Sequence, residues 1–253
     1  MFDERFEVFL ADTDFAQCIN KQIRYRVFCL ERGFEDPDNF PNGEEQDEWD
    51  QQAAHFIVRE KSSGRWVAST RIIHPKPSLL PVEQHNSLSP GFLTGIDRNE
   101  IGEISRFCII RQNILTNSGF SQVSRSQFDW IGAVDSKFQY EITWGMLRAV
   151  TYYGLAHGLE YSYMFITNSF ARLLRRMGIV LYQSGMMTEF KGQRAPFLVD
   201  FSESIPSVSV KSSQVRELFM NKHLAYLPVV GLDHEYAARI QQELDDCSEC
   251  RIN

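Results

Sequence analysis

Long apolar runs are missing from this 253-residue chain. No segment approaches the ~20 uninterrupted apolar residues that a membrane-spanning helix requires. The longest apolar stretches, such as Phe107-Cys108-Ile109-Ile110, have the length of a strand. The opening Met1-Phe2-Asp3-Glu4-Arg5 is charged and lacks the apolar core of a signal peptide, so a cytoplasmic location is expected. A positive surplus is missing too. Lys+Arg number 26 against 33 Asp+Glu, for a formal net charge of -7, and an acidic chain is a poor non-specific binder of nucleic acid. No zinc-finger spacing, basic helix or RNP-like aromatic strand is present. Cysteine is scarce: the five (Cys18, Cys29, Cys108, Cys247, Cys250) are odd in number and scattered, unlike a disulfide framework. Cys247-Ser-Glu-Cys250 is a lone CxxC in an acidic tail. A structural zinc site takes four ligands, so free thiols and no metal are expected.

What the chain does have is apolar content, 43% of its residues, enough for a sizeable core. Glu7 to Leu10 predicts a short strand. Asp12 or Thr13 caps a following helix, whose apolar face repeats at Phe15, Cys18, Ile19, Ile23, Val27 and Leu30 and which stops at Gly33. Residues 34–52 are turn-forming and then acidic, a long loop of the kind that carries function. Ala54–Arg59 and Trp66–Ile73 predict a hairpin around Ser62-Ser63-Gly64-Arg65, and a Pro/Ser-rich link from Pro75 to Gly95 leads to a third strand, Glu100–Ile110. Residues 111–137 are polar and irregular. A helix over Gln139–His157, a buried strand over Tyr161–Ile166, a helix capped at Asn168 or Ser169 and closed by Gly178, and strands over Ile179–Met187 and Pro196–Phe201 follow. Glu217–Lys222 and His234–Asp245 predict terminal helices. There are no internal repeats, and the order implies an α/β or α+β fold with one mixed sheet.

Four places hold polar residues that such a core does not ask for: Arg24 with Phe28 a turn later; Asp47 and Asp50 flanking Trp49; Arg71 inside a strand; and Glu103-Ile104-Ser105-Arg106-Phe107. Strict alternation puts Glu103, Ser105 and Phe107 on one face and Ile104 and Arg106 on the other. Singly, each has an ordinary reading: a solvated helix arginine, solubilising loop acids, a strand-end arginine, a weak surface ion pair. Together they describe a charge network inside a cleft, since buried charges persist only when paired.

Arg24-Tyr25-Arg26-Val27-Phe28, Gly33-Phe34, Asp47-Glu48-Trp49-Asp50, Ser69-Thr70-Arg71 and Glu103-Ile104-Ser105-Arg106-Phe107 resemble, in order and spacing, the motif set of the acyl-homoserine-lactone (autoinducer) synthase family. The resemblance covers roughly the first half of the chain. It implies a GNAT-type three-layer fold, with a mixed central sheet splayed between Glu100–Ile110 and Tyr161–Ile166 and flanked by helices. The splay would hold an acyl thioester. Where the family usually has tryptophan this chain has Phe34, and it is longer, around 111–137 and after 201. Both features resemble the relatives associated with PEP-CTERM/exosortase systems and the long-chain N-acyl amino acid synthases. The stretch after Ile110 lacks the Gln/Arg-x-x-Gly-x-Gly/Ala loop with which acetyl-CoA-using GNAT enzymes cradle pyrophosphate, which favours an acyl-carrier-protein donor, with acyl-CoA as the other choice and no permanently bound cofactor.

The implied activity is N-acyl transfer to an amino-acid-like amine, the alternatives being homoserine-lactone synthesis from S-adenosylmethionine and a non-catalytic acyl- or protein-binding module. The expected domain spans 1–205, with 206–253 packing on it as an extension. Glu103 is the expected base, with Ser105, Arg106 and Phe107 beside it and oxyanion donors on the backbone near Phe107. Cys108 faces away and has no histidine partner, so a covalent relay is disfavoured. Arg24, Asp47, Asp50, Arg71 and Arg106 would organise the acceptor pocket, an arginine fork suiting a carboxylate. Phe28 and Phe34 would wall it. Trp144, Leu147, Met164 and Phe165 are candidates for an acyl tunnel, and equally for plain core. Arg172, Arg175 and Arg176, with Lys137 and Arg148, form a candidate docking patch for an acidic carrier protein, or a solvated helix face.

Overall fold

The computed structural model describes residues 1–75, 79–85, 88–89, 91, 94–111 and 131–229. A single helical turn, Phe2–Arg5 (α1), runs into strand Phe6–Leu10 (β1). Thr13 caps the helix Asp14–Tyr25 (α2), its hydroxyl accepting from the Ala16 amide at 3.3 Å and so satisfying one of the free first-turn donors. The helix then widens into a π-helical segment, Arg26–Glu31. Ala16, Ile19, Ile23 and Val27 are its buried stripe, packed on Phe9, Ile57 and Trp66.

Strands Ala53–Glu60 (β2), Trp66–Ile73 (β3) and Ile101–Ile109 (β4) continue the sheet, with a short helix Pro81–Gln84 (α3) between β3 and β4. The long helix Gln139–Ala156 (α4) crosses over to strand Tyr161–Ile166 (β5). Helix Asn168–Met177 (α5) is capped by Thr167, whose Oγ1 accepts from the Phe170 amide, and ends at Gly178 with φ +93°, a left-handed position that glycine takes without steric cost. Leu181–Gln183 (β6), Thr188–Glu189 (β7), Gln193–Asp200 (β8), helices Phe201–Ser209 (α6) and Ser213–Met220 (α7), and Leu227–Pro228 (β9) complete the described chain. Helix α6 contains Pro206, which hid it from a reading by helix-breaking residues. The expected terminal helix His234–Asp245, Cys247 and Cys250, and residues 112–130 lie outside the described residues. None of the described helices is long and apolar enough to cross a membrane.

The strand order is β6-β8-β5-β4-β3-β2-β1-β9, with β7 pairing β8 off that path. Strands β1 to β4 form an antiparallel meander. The α4 crossover makes β4 and β5 parallel neighbours, as a long connection must when both strands run the same way. Their pairing is brief: Ile101↔Tyr161, Gly102↔Ser162 and Glu103↔Tyr163. Beyond Glu103, β4 stays with β3 while β5 stays with β8. The two strands part, and the mixed sheet is splayed at its centre, as expected. On one face α4 and α5 cover Phe56, Ile72, Ile104, Met164 and Phe197. On the other lie α2 with its cluster and a smaller cluster of Ile73, Ile101, Tyr163 and Leu198.

Gly145 lets the amino terminus dock on α4: a Cβ there would fall 2.2 Å from the Phe2 ring. One turn on, Arg148 is 0% exposed. Its guanidinium donates to both Asp3 carboxylate oxygens (2.9 and 2.6 Å), to Leu218 O (2.9 Å) and to Leu224 O (2.7 Å). It is a strap between the two ends of the described chain, not part of a surface patch, because its own side chain is fully buried.

Candidate active site

The loop between α2 and β2 brings its acids under the end of α2. Arg24 donates from Nε to Glu45 Oε2 and from Nη1 to Asp50 Oδ1, both at 2.6 Å. Arg71 of β3 takes Asp47 as a fork, Nη1 to Oδ1 at 2.5 Å and Nη2 to Oδ2 at 2.8 Å, also binds Asp50, and donates from Nε to Ser105 Oγ at 2.9 Å. Arg106 of β4 meets Glu45 Oε1 at 3.0 Å and Asp47 Oδ2 at 2.9 Å. The six groups close a ring, Arg24–Glu45–Arg106–Asp47–Arg71–Asp50 and back to Arg24, in which three cations alternate with three anions. Burial raises the carboxyl pKa of all three acids, but the arginines outweigh it and hold them below the ordinary range, Asp50 furthest. The ring is therefore charged at neutral pH. Asp47 also caps the 3-10 turn Glu48–Gln52, and Asp50 accepts from the Asp47 amide, so the loop is shaped by the same acids. Against Asp50 sits buried His55, whose pKa burial lowers to about 4. It is neutral, and its Nε2 lies 3.2 Å from Asp50 O, which can only accept.

Arg106 reaches the ring because β4 does not alternate strictly. Arg71 pairs with Ser105 but Ser69 with Cys108, so Arg106 and Phe107 together oppose one residue of β3. Arg106 has φ +50°. This bulge corrects the expected facing: Arg106 turns toward Glu45 and Asp47, its guanidinium 5.5 Å from the Phe28 ring, while Phe107 turns to the α4/α5 side and packs 5.7 Å from Phe170.

Glu103 occupies the last paired position before β4 and β5 part. It is 3% exposed, and Oε2 accepts from the Val82 amide of α3 at 2.8 Å. Burial pushes its carboxyl up to about 8, partly opposed by that amide. A cavity of about 1070 Å³ runs through the splay. Its one half is polar, with Glu103, Ser105, Asp47, Arg71, Arg106, Phe28, Phe34 and Trp49; its other half is apolar, with Phe107, Met164, Ile166, Phe170 and Leu173. Cys108 has a thiol pushed up to about 12, chiefly by burial, and remains protonated. Among the described residues no group of three or more His, Cys, Asp or Glu could hold a metal ion.

Of the expected site residues, Glu103, Ser105, Arg106, Phe107, Phe28, Phe34, Asp47, Arg71 and Arg176 line this cavity; Arg24 and Asp50 stand behind it, closing the ring. Trp144 does not line it. It is core, packed edge-on to Tyr140 and Phe219, and Leu147 is also core; Tyr140 and Thr143, at preceding positions of α4, line the cavity instead. Met164 and Phe165 line the cavity, and Met164 belongs at the same time to the buried core. On α5, Arg172, Arg175 and Arg176 are all exposed; Arg175 also lies over the Phe197 ring and donates to Leu181 O. Sequence reading missed Glu45, the third acid that a third arginine requires, and Arg194 of β8, whose guanidinium lies 5.6 Å from the Phe34 ring in the cavity wall.

A family model described as acetyltransferase (GNAT) domain matches residues 23–113. No curated protein sequence matches the chain significantly. Among solved structures it is similar to TofI in a ternary complex with an inhibitor and MTA (TM-score 0.57, 17% identity, 83% of this chain and 99% of that one). It is similar to BjaI, a CoA-dependent acyl-homoserine lactone synthase with MTA (0.54, 16%, 84% and 89%). It is similar, too, to FeeM, an N-acyl amino acid synthase from uncultured soil microbes (0.51, 13%, 80% and 94%). The matched segment runs from the end of α2 through β4, and the splayed sheet around it has the fold of these synthases.

Proposed function

We propose that this chain transfers a fatty-acyl group from a carrier-protein thioester to the amine of an amino-acid-like acceptor. The observation that carries the proposal is the place of Glu103: a buried carboxyl, raised to about 8, at the vertex of the splay where the polar and apolar halves of the cavity meet. The acyl chain lies in the apolar half and the acceptor in the polar half. The acceptor nitrogen attacks the thioester carbonyl, Glu103 takes the nitrogen's proton directly or through a water, and the carbon–sulfur bond breaks to release the thiol. Past Glu103 the β4 edge has no β5 strand beside it, so backbone groups there are available to the oxyanion. The high thiol pKa of Cys108 speaks for direct attack. The ring fixes Arg71 and Arg106 as one wall; Phe28 and Phe34 exclude water. Exposed Arg172 and Arg176 on α5, the latter at the cavity wall, are the docking cations for an acidic carrier.

The test is mass spectrometry of lipid extracts from cells overproducing the protein beside cells carrying Glu103→Gln. A new N-acyl species made only by the wild type is the expected result, and its head group identifies the acceptor. A homoserine-lactone head group would instead support the second reading, an S-adenosylmethionine acceptor, which the likeness to BjaI favours. No new species in the presence of folded protein and a supplied acyl-carrier protein would support a binding module. Reversing Arg172 and Arg176 to glutamate should raise KM for the acyl carrier protein about tenfold or more and leave that for acyl-CoA little changed; equal KM values would sink the docking role.

A further inference from the structure

An acceptor amino acid brings a carboxylate with its amine, and the ring has no cation left for it. Arg24, Arg71 and Arg106 are each shared between two of Glu45, Asp47 and Asp50, so three charges already cancel three. Lys191 at the rim is paired with Glu35. Arg194 differs. It stands in the cavity wall, on the same face of the sheet as Glu103: Leu198 of β8 pairs with Tyr163, which pairs with Glu103, and Arg194 is four residues from Leu198. Its Nε is buried without a hydrogen-bond partner, and among the described residues its guanidinium makes no ion pair. One face of the fork is covered by the Phe34 ring, which also lines the cavity. Burial, and then the positive charge of Arg106, both disfavour the cation. A guanidinium does not deprotonate in response, so it stands as an uncompensated charge that an arriving anion relieves.

We propose that Arg194 is the carboxylate-binding residue of the acceptor site, which makes the acceptor an amine that also carries a carboxylate. The inference rests on the acyltransferase reading above. Its test is a binding comparison that needs no turnover: N-dodecanoylglycine against N-dodecanoylglycinamide, and N-dodecanoylphenylalanine against its amide, titrated into the wild type, Arg194→Met and Arg194→Lys, each shown to melt cooperatively. The expected result is that the wild type binds the carboxylate member of at least one pair tenfold or more tightly. That preference should collapse below threefold in Arg194→Met and return in part in Arg194→Lys. An absent preference in the wild type, or one that persists in Arg194→Met, overturns the proposal. So does weakened binding of 4′-phosphopantetheine to Arg194→Met with the preference intact, which would give Arg194 to the donor's phosphate. Thiol release from a dodecanoyl thioester separates the two failures. An Arg194-dependent preference without release by any amino acid leaves Arg194 standing and sinks the transferase; release with no Arg194-dependent preference sinks Arg194 alone.

Discussion

At the scale of single residues, the charged groups divide into those that must stay ionised and one that must not always be. Glu103 keeps its proton up to about pH 8, whereas an unfolded glutamate releases it near 4.5. The native state thus holds more protons between those values. The stability due to this group is intact below about pH 4.5 and falls as the pH rises toward 8. Glu103→Gln has no such slope, so its stability relative to the wild type should climb across pH 5–8 by a few kcal/mol, at about 1.4 kcal/mol for each unit of the shift. Urea titrations at several pH values measure this, and a flat difference would show that the carboxyl ionises freely. The same substitution should lower kcat by about 10²–10⁴-fold and remove an inflection near pH 8 from the rate profile. Arg24→Met tests the ring. Two anions would lose a shared buried cation, at a cost of about 3–5 kcal/mol at pH 7. Because Glu45 and Asp50 are held below their ordinary pKa, their contribution is lost as pH falls below about 4, and the deficit of Arg24→Met should shrink there. Five ring members were legible in the sequence as ordered polar islands. Glu45 was not, because it sits in an acidic run whose neighbours Glu44 and Glu48 carry the same charge without joining the ring.

At the scale of elements, periodicity located most strands and helices to within a few residues, since buried faces dictate their spacing: β3 and β5 occupy the predicted ranges. It failed where one extra residue is inserted. The π segment after α2 and the bulge in β4 each break a period without a sequence signature. The bulge matters for the site, because it sends Arg106 into the ring and Phe107 to the apolar half of the cavity. It also puts a non-glycine residue at φ +50°. Arg106→Asn and Arg106→Val remove the same cation, but asparagine tolerates that backbone and a β-branched side chain does not. The valine variant should therefore be less stable than the asparagine variant by about 1–2 kcal/mol in urea unfolding. Equal stabilities would mean that the strand can relax to regular pairing. In that case the guanidinium, not the backbone, selects the bulge.

At the scale of the whole molecule, two buried arginine systems hold different parts of the fold. The ring joins α2, the acidic loop, β3 and β4 around the cavity; Arg148 joins α1, α4, α7 and the segment after it. Long-range closure of this kind is not legible in sequence, because Asp3 and Leu218 are 145 and 70 residues from Arg148, and only the fold brings them together. The two systems share no hydrogen-bonding partner. Arg148→Met should cost about 3–5 kcal/mol, since it strands a carboxylate and two carbonyls at once. It should leave kcat and both KM values of the folded enzyme unchanged, as Arg148 does not line the cavity. Combined with Arg24→Met, its effect on stability should add to within about 0.5 kcal/mol. A coupling above about 1 kcal/mol would mean that strain released at the chain ends is felt across the sheet. The ring would then depend on how α4 is held, and Arg148 would have a part in the site after all.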